Sequence, residues 1–171
     1  MTPPGLEPSS INPPDAIAAL KSFPRRWRSA LAVVADDPSA ESLVQRRPDA
    51  SSWSSLEHTW YVADLLGWYR TRVERARADE RPALEADDPQ RWPAERAYND
   101  RELEVALDQL GEHAAGLATT LERLAADDWL RSADVEGNEV TILSMARHAV
   151  VEGSDHLRAA ERALRAARGR S

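Results

Sequence analysis

Two histidines and a glutamate stand where apolar side chains belong. At about 100 degrees per residue, His58 falls near the middle of an apolar arc formed by Val62, Leu65, Leu66, Tyr69, Val73 and Ala76. His156 falls near the centre of a second stripe, with Ile142, Met145, Ala149, Gly153, Ala160 and Ala163, and Glu152 lies one flank over. An imidazole or carboxylate buried alone is costly, so such groups are hydrogen-bonded, ion-paired or bound to a metal. Glu152 and His156 are four apart and project from successive turns on one side, close enough to hold one ion. Two imidazoles and a carboxylate suit Zn(II), Ni(II) or Fe(II), zinc first. Three protein ligands leave a coordination position open, as in catalytic rather than structural zinc sites. The small residues Ala149, Gly153, Ala159, Ala160 and Ala163 leave volume beside them. The competing reading is a core histidine satisfied by a carboxylate, with no metal.

Other residues are weaker candidates. His148 lies roughly 100 degrees from the stripe's centre, at its rim, and His148 or Asp155 as a fourth ligand would close the site. Tyr69, Arg147 and Asp155 are candidates to orient the ligands. Tyr61, Trp68, Tyr69 and Arg72 could line a pocket or simply pack, and His113 flanks the stripe of its helix as a solvated residue. Arg158, Arg162, Arg165, Arg168 and Arg170 read as a solvated face and the basic end of a helix dipole. No Glu-x-x-His pair occurs, which disfavours a di-iron carboxylate bundle. A His-Glu-x-x-His motif, phosphate loop, dinucleotide fingerprint and nucleophile elbow are all absent.

Four amphipathic segments must position these groups. Residues 1–14, with Pro3, Pro4, Pro8, Pro13 and Pro14, read as a disordered or draped arm. The first helix spans about 15–36 with a pause or kink at Pro24, and one or two turns follow around Ala40 to Arg47. Ser54 and Glu57 fit a capping box that opens the second helix, about 54–78. Residues 79–98, charged and broken by Pro82, Pro89 and Pro93, read as a long crossover. The third helix covers about 100–125, and the fourth about 141–167 with Thr141 as its cap. The expected fold is all-α, an antiparallel four-helix bundle over 15–167 with no strand pattern, and 168–171 form a tail.

The chain has 171 residues, enough for one domain with a sizeable core, and 29 acidic against 22 basic residues give a formal charge of -7. That balance opposes nucleic acid and anionic lipid as partners. No run approaches the roughly 18 apolar residues of a membrane span, there is no cysteine, and with no charged-then-apolar opening stretch a leader is not expected. The expected location is the cytoplasm. All but Lys21 of the basic residues are arginine, and six tryptophans suit both core and pocket walls.

Two stretches, SSWSSLEHTWYVADLLGWY around His58 and ARHAVVEGSDHLRAAER at 146–162, resemble the DinB-like superfamily, which includes mycothiol-dependent maleylpyruvate isomerases and bacillithiol transferases. The resemblance covers about 15–167. It implies an up-down-down-up bundle and a divalent metal on His58, Glu152 and His156. Glutamate at the middle position is similar to the mycothiol-dependent isomerases. Those carry a further C-terminal domain where this sequence stops, so another electrophile than maleylpyruvate is the expected substrate. Val151 and Asp155 replace histidines that many relatives have in the last motif.

With two neutral imidazoles and one carboxylate, a divalent ion leaves a site charge near plus one, which favours an anionic fourth ligand. A thiol there would ionise well below its free pKa of about 8.5. The expected activity is that of a thiol transferase or isomerase, in which a low-molecular-weight thiol such as mycothiol attacks a small electrophile. With water in the open position the same site would hydrolyse. The alternative from another class is a non-catalytic metal-binding or interaction module, including a homodimer.

Overall fold

Asn12 starts the first helix by accepting the amide of Asp15 on its side-chain oxygen at 2.9 Å, ahead of a proline in the first turn. The structure, a computed structural model, describes residues 8–32 and 39–169. Helix α1 runs Pro13–Leu31 and continues through Pro24. Its expected stretch beyond 32 lies outside the described residues, as do residues 1–7 of the expected arm and the last two of the tail. From Pro8 the arm is packed: Pro8–Ser10 make a 3-10 turn, Ile11 is buried, and its carbonyl accepts Nε of Arg147 at 2.8 Å.

Helix α2 (Ala40–Gln45) buries Leu43 and Val44 and leads to α3 (Ser55–Ala78). At the start of α3 Ser54 Oγ accepts the Glu57 amide at 3.1 Å and Glu57 Oε2 accepts the Ser54 amide at 2.8 Å, closing the expected capping box. The chain continues through β1 (Ala83–Leu84), α4 (Trp92–Glu95) and α5 (Leu103–Glu122). It ends in β2 (Ser132–Val135), β3 (Asn138–Thr141) and α6 (Ile142–Arg168). Thr141 caps α6, its side chain accepting the Ser144 amide at 3.1 Å.

The four long helices α1, α3, α5 and α6 form the bundle. Helix α3 packs on α5 and α6, and α1 packs on the same two from the other side. Side-chain pairs give the relative directions. Lys21 and Arg28 of α1 meet Glu122 and Glu104 of α5, so these two run antiparallel. Gln109 and Thr120 of α5 bond Asp64 and Glu74 of α3, so these run parallel. His58 and Tyr61 of α3 bond His156 and Glu152 of α6, an antiparallel pair. The core between them is aliphatic and aromatic, with Leu20, Phe23, Trp27, Leu66, Leu110 and Leu117 fully buried.

The all-α expectation needs correction, because a small sheet of order β1-β2-β3 caps one end of the bundle. Strand β1 pairs with β2 in parallel, and β2 with β3 antiparallel. Strands of two to four residues are too short for an alternating pattern to emerge. Their turn, Glu136 and Gly137, has φ of 51 and 82 degrees, the backbone of a two-residue hairpin with an unfamiliar glutamate in its first position. The crossover is likewise folded, with Leu84, Trp92 and Tyr98 buried against the bundle. Among the described residues no helix is long and apolar enough to cross a membrane.

Gly153 lets α6 approach α1 closely: a Cβ there would stand 2.5 Å from Cε2 of Phe23. Both sides of that contact are buried, so the ring has little room to yield. Gly153→Ala is expected to destabilise the fold by about 1–3 kcal/mol through overpacking, read as a lower midpoint in chemical denaturation.

Candidate metal centre

His58 is the fourth residue of α3, and its amide bonds the carbonyl of Ser54, so the capping box fixes where its side chain leaves the helix. Glu57, one residue earlier, is buried and receives both Nε and Nη2 of Arg47, at 2.9 and 2.6 Å. The antiparallel α3–α6 contact then brings His58 to the middle of α6. Nδ1 of His58 lies 2.8 Å from Nδ1 of His156. On the other edge of the His156 ring, Nε2 lies 3.3 Å from Oε2 of Glu152. Tyr61, one turn beyond His58, donates its hydroxyl to the same Oε2 at 3.4 Å and accepts Nε2 of Gln90 at 3.1 Å.

The chemistry of these contacts orders the protons. With both rings neutral, His156 uses its Nε2 hydrogen on the carboxylate, so its Nδ1 is a lone pair and His58 must be the donor between the rings. A chain thus runs from His58 through His156 to Glu152, with Tyr61 and Gln90 entering from the side.

Aromatic rings wall the cluster. Trp53 stacks on His156 at 5.5 Å with 15 degrees between the planes, and lies tilted 5.3 Å from His58 and 5.1 Å from Tyr61. Tyr61 in turn stands 4.5 Å from His156. Burial, with His156 and Arg162 nearby, pushes His58 down to about 3. The hydrogen bond from His156 holds Glu152 below the usual carboxylate value against its partial burial. Burial and the neighbouring Glu152 charge raise the Tyr61 phenol well above its ordinary value and push Tyr69 up to about 12. The side chain of His156 is 16% exposed and that of Glu152 37%, so the cluster opens to solvent on the carboxylate side.

The three residues chosen as metal ligands therefore form one connected cluster. Their donor types fit a divalent cation. Their present orientation does not converge on one point, because His156 stands between the other two and offers each a different nitrogen. Among the described residues no three His, Asp or Glu side chains are arranged as a ready cation site.

The remaining candidates face elsewhere. His148 bonds the Ser144 carbonyl of its own helix at 2.9 Å, Asp155 pairs with Arg158, and Arg147 holds Ile11. Arg72 donates to the carbonyl of Glu85 in the crossover. Tyr69 bears on the cluster electrostatically, beside Glu152 and Tyr61, and His148 does so beside Glu152. Gln90 escaped the sequence reading, because it sits in a segment whose fold had no periodic signal. Trp53 belongs to the stretch that carries the family resemblance, but it precedes the helix and so falls outside any helical wheel.

A model of the DinB superfamily matches residues 19–160. The chain belongs to the DinB superfamily. Among solved structures it is similar to YfiT from Bacillus subtilis, described as a probable metal-dependent hydrolase with an unusual four-helix bundle topology. That match has a TM-score of 0.78 at 17% identity, covering 96% of this chain and 92% of the other, and it carries the fold. No curated protein matches the chain.

In this DinB-superfamily chain the protonation of His58 is a direct check on the cluster. A ring buried neutral takes up its proton more readily when unfolded, so between about 6.5 and about 3 the unfolded chain binds more protons. In chelator-treated protein, NMR titration is expected to show one histidine neutral down to about 3. Stability is expected to fall as the pH is lowered below about 6.5, the unfolded value.

Proposed function

We propose that this chain is a metal-dependent enzyme in which His58, Glu152 and His156 hold one divalent cation, zinc in the first place, with nickel or iron as the other candidates. What supports the reading most is that two imidazoles and a carboxylate from separate parts of the sequence meet in one hydrogen-bonded cluster that opens to solvent. Membership of the DinB superfamily and the description of YfiT as probably metal-dependent agree with it. An up-down-down-up order of the four long helices, with α3 and α6 antiparallel, would suit this reading. Binding by all three residues requires the His156 ring to turn, exchanging its hydrogen bond to His58 for a bond from each ring to the ion.

When bound, the cation would act as a Lewis acid that lowers the pKa of a coordinated thiol or water. The residues around it do the rest. Glu152 gives the site a negative charge that Tyr61 tempers by hydrogen bonding, and Gln90 fixes the phenol by donating to its oxygen. Trp53, itself half-buried, covers one face of the histidine rings and keeps water from them, leaving the carboxylate side for the reacting molecules. The nucleophile of the proposal is a low-molecular-weight thiol of the mycothiol type, which the cysteine-free chain would receive from outside, and its target is a small electrophile. Hydrolysis by water is the second reading, favoured by the description of YfiT.

Elemental analysis is expected to find one divalent ion per chain in the wild type, and His58→Ala and His156→Ala are each expected to lower the affinity by about 100-fold or more, since even groups that only orient ligands cost 10–100-fold. Conjugation of a thiol to chlorodinitrobenzene by the loaded wild type, lost in both variants, supports thiol transfer. Cleavage of p-nitrophenyl acetate without any thiol supports hydrolysis. Wild-type protein that takes up no ion overturns the proposal.

A further inference from the structure

Further along α3 lies a cleft that the histidine cluster does not use. Trp68 is ten residues and Arg75 seventeen residues beyond His58, which at 1.5 Å per residue is about 15 and 25 Å along the axis. The cleft lies between α3, the crossover and His113 of α5, with a volume of about 890 Å3.

Two arginines in it are held by backbone carbonyls and have no salt bridge among the described residues. Arg72 donates Nη1 and Nη2 to the carbonyl of Glu85 at 3.1 and 3.0 Å, and its guanidinium lies 3.9 Å over the Trp68 ring. Arg75 donates Nη2 to the carbonyl of Ala83 at 3.3 Å. Carbonyls orient a guanidinium but do not cancel its charge, and neither arginine forms an ion pair among the described residues. Arg96 differs, being held by Asp64 at 2.6 Å. The acidic groups of the cleft are otherwise engaged or peripheral. Asp87 accepts the Trp92 indole N–H at 3.2 Å and the Asp88 amide at 2.8 Å, and Glu85 is an exposed residue. Partial burial pulls Arg72 below its ordinary value, with the charge of Arg75 acting the same way and that of Asp87 opposing it.

The opposite end of the cleft offers an acceptor. His113 lies flat over Gly67, where a Cβ would come within 2.7 Å of its ring. Its Nδ1 is 2.7 Å from the carbonyl of Ala63. A carbonyl only accepts, so Nδ1 carries the hydrogen and Nε2 of the neutral ring is a lone pair. From Gly67 to Arg75 is about 12 Å along the helix.

We infer that this cleft binds a small carboxylate with a flat apolar body and a hydroxyl or amide donor at its far end. Arg72 and Arg75 would take the carboxylate, Trp68 would pack against the body, and His113 Nε2 would accept from the donor. Two guanidiniums that already share hydrogens with carbonyls suit a single negative charge better than a phosphate dianion.

Calorimetric titration of the full chain with 4-hydroxybenzoate and with its neutral amide tests the inference. The acid is expected to bind at least about tenfold more tightly than the amide, because a charge-assisted hydrogen bond is at stake. Arg72→Gln and Arg75→Gln, checked for native circular dichroism, are each expected to weaken the acid by about tenfold, whereas His156→Ala is expected to leave its binding unchanged. Equal binding of acid and amide, no binding of either, or binding lost with His156→Ala and kept in both arginine variants would overturn it. The wild-type comparison of acid with amide stands even if an arginine variant fails to fold.

Discussion

A buried carboxylate one residue before His58 decides where α3 begins. Glu57 accepts the amide of Ser54 and two hydrogens of Arg47 while only 1% exposed. Such a charge is tolerated in a core because every part of it is paired, and removing its partners would leave an uncompensated ion. The cap sets both the start and the rotational phase of the helix. A shift of one residue would swing the imidazole by about 100 degrees, out of reach of α6. The local hydrogen bonds at 54–57 are therefore what the long-range meeting of His58 with His156 depends on.

Packing carries that placement across the bundle. Gly153 admits the Phe23 ring beside Glu152, letting α1 lie close behind the polar residues of α6. Trp53, at the entry to α3, closes the same region from the front by stacking on His156. Between them the histidines are removed from most of the water, which is why His58 resists protonation, while Glu152 stays at the rim with solvent access. The crossover adds a polar thread to the wall, Gln90 to Tyr61 to Glu152. One segment of irregular backbone thus helps to order the cluster and also forms the wall of the cleft around Arg72 and Arg75.

Much of this was readable from residue types and spacing. The capping box, the Thr141 cap, the four long helices and the inward placement of His58, Glu152 and His156 follow from periods and end signals that are local in sequence. What was not readable depends on distant partners. Arg47 meets Glu57 only once α2 has folded back, and Gln90 reaches Tyr61 only because the crossover wraps the bundle. The sheet joins strands of two and four residues across nearly fifty positions, too short for any periodicity. Pro24 shows the converse, since the helix expected to pause or kink there runs on from Pro13 to Leu31. The DinB resemblance anticipated the residues of the cluster but not their mutual orientation, in which the two imidazoles bond each other.

X-ray absorption at the metal edge of protein loaded with one equivalent of zinc tests most directly whether His58, Glu152 and His156 hold the ion. Two imidazole nitrogens and a carboxylate oxygen are expected around the ion, with the imidazole signal halved in His156→Ala. A spectrum without imidazole scattering, or one unchanged by that substitution, would contradict that assignment.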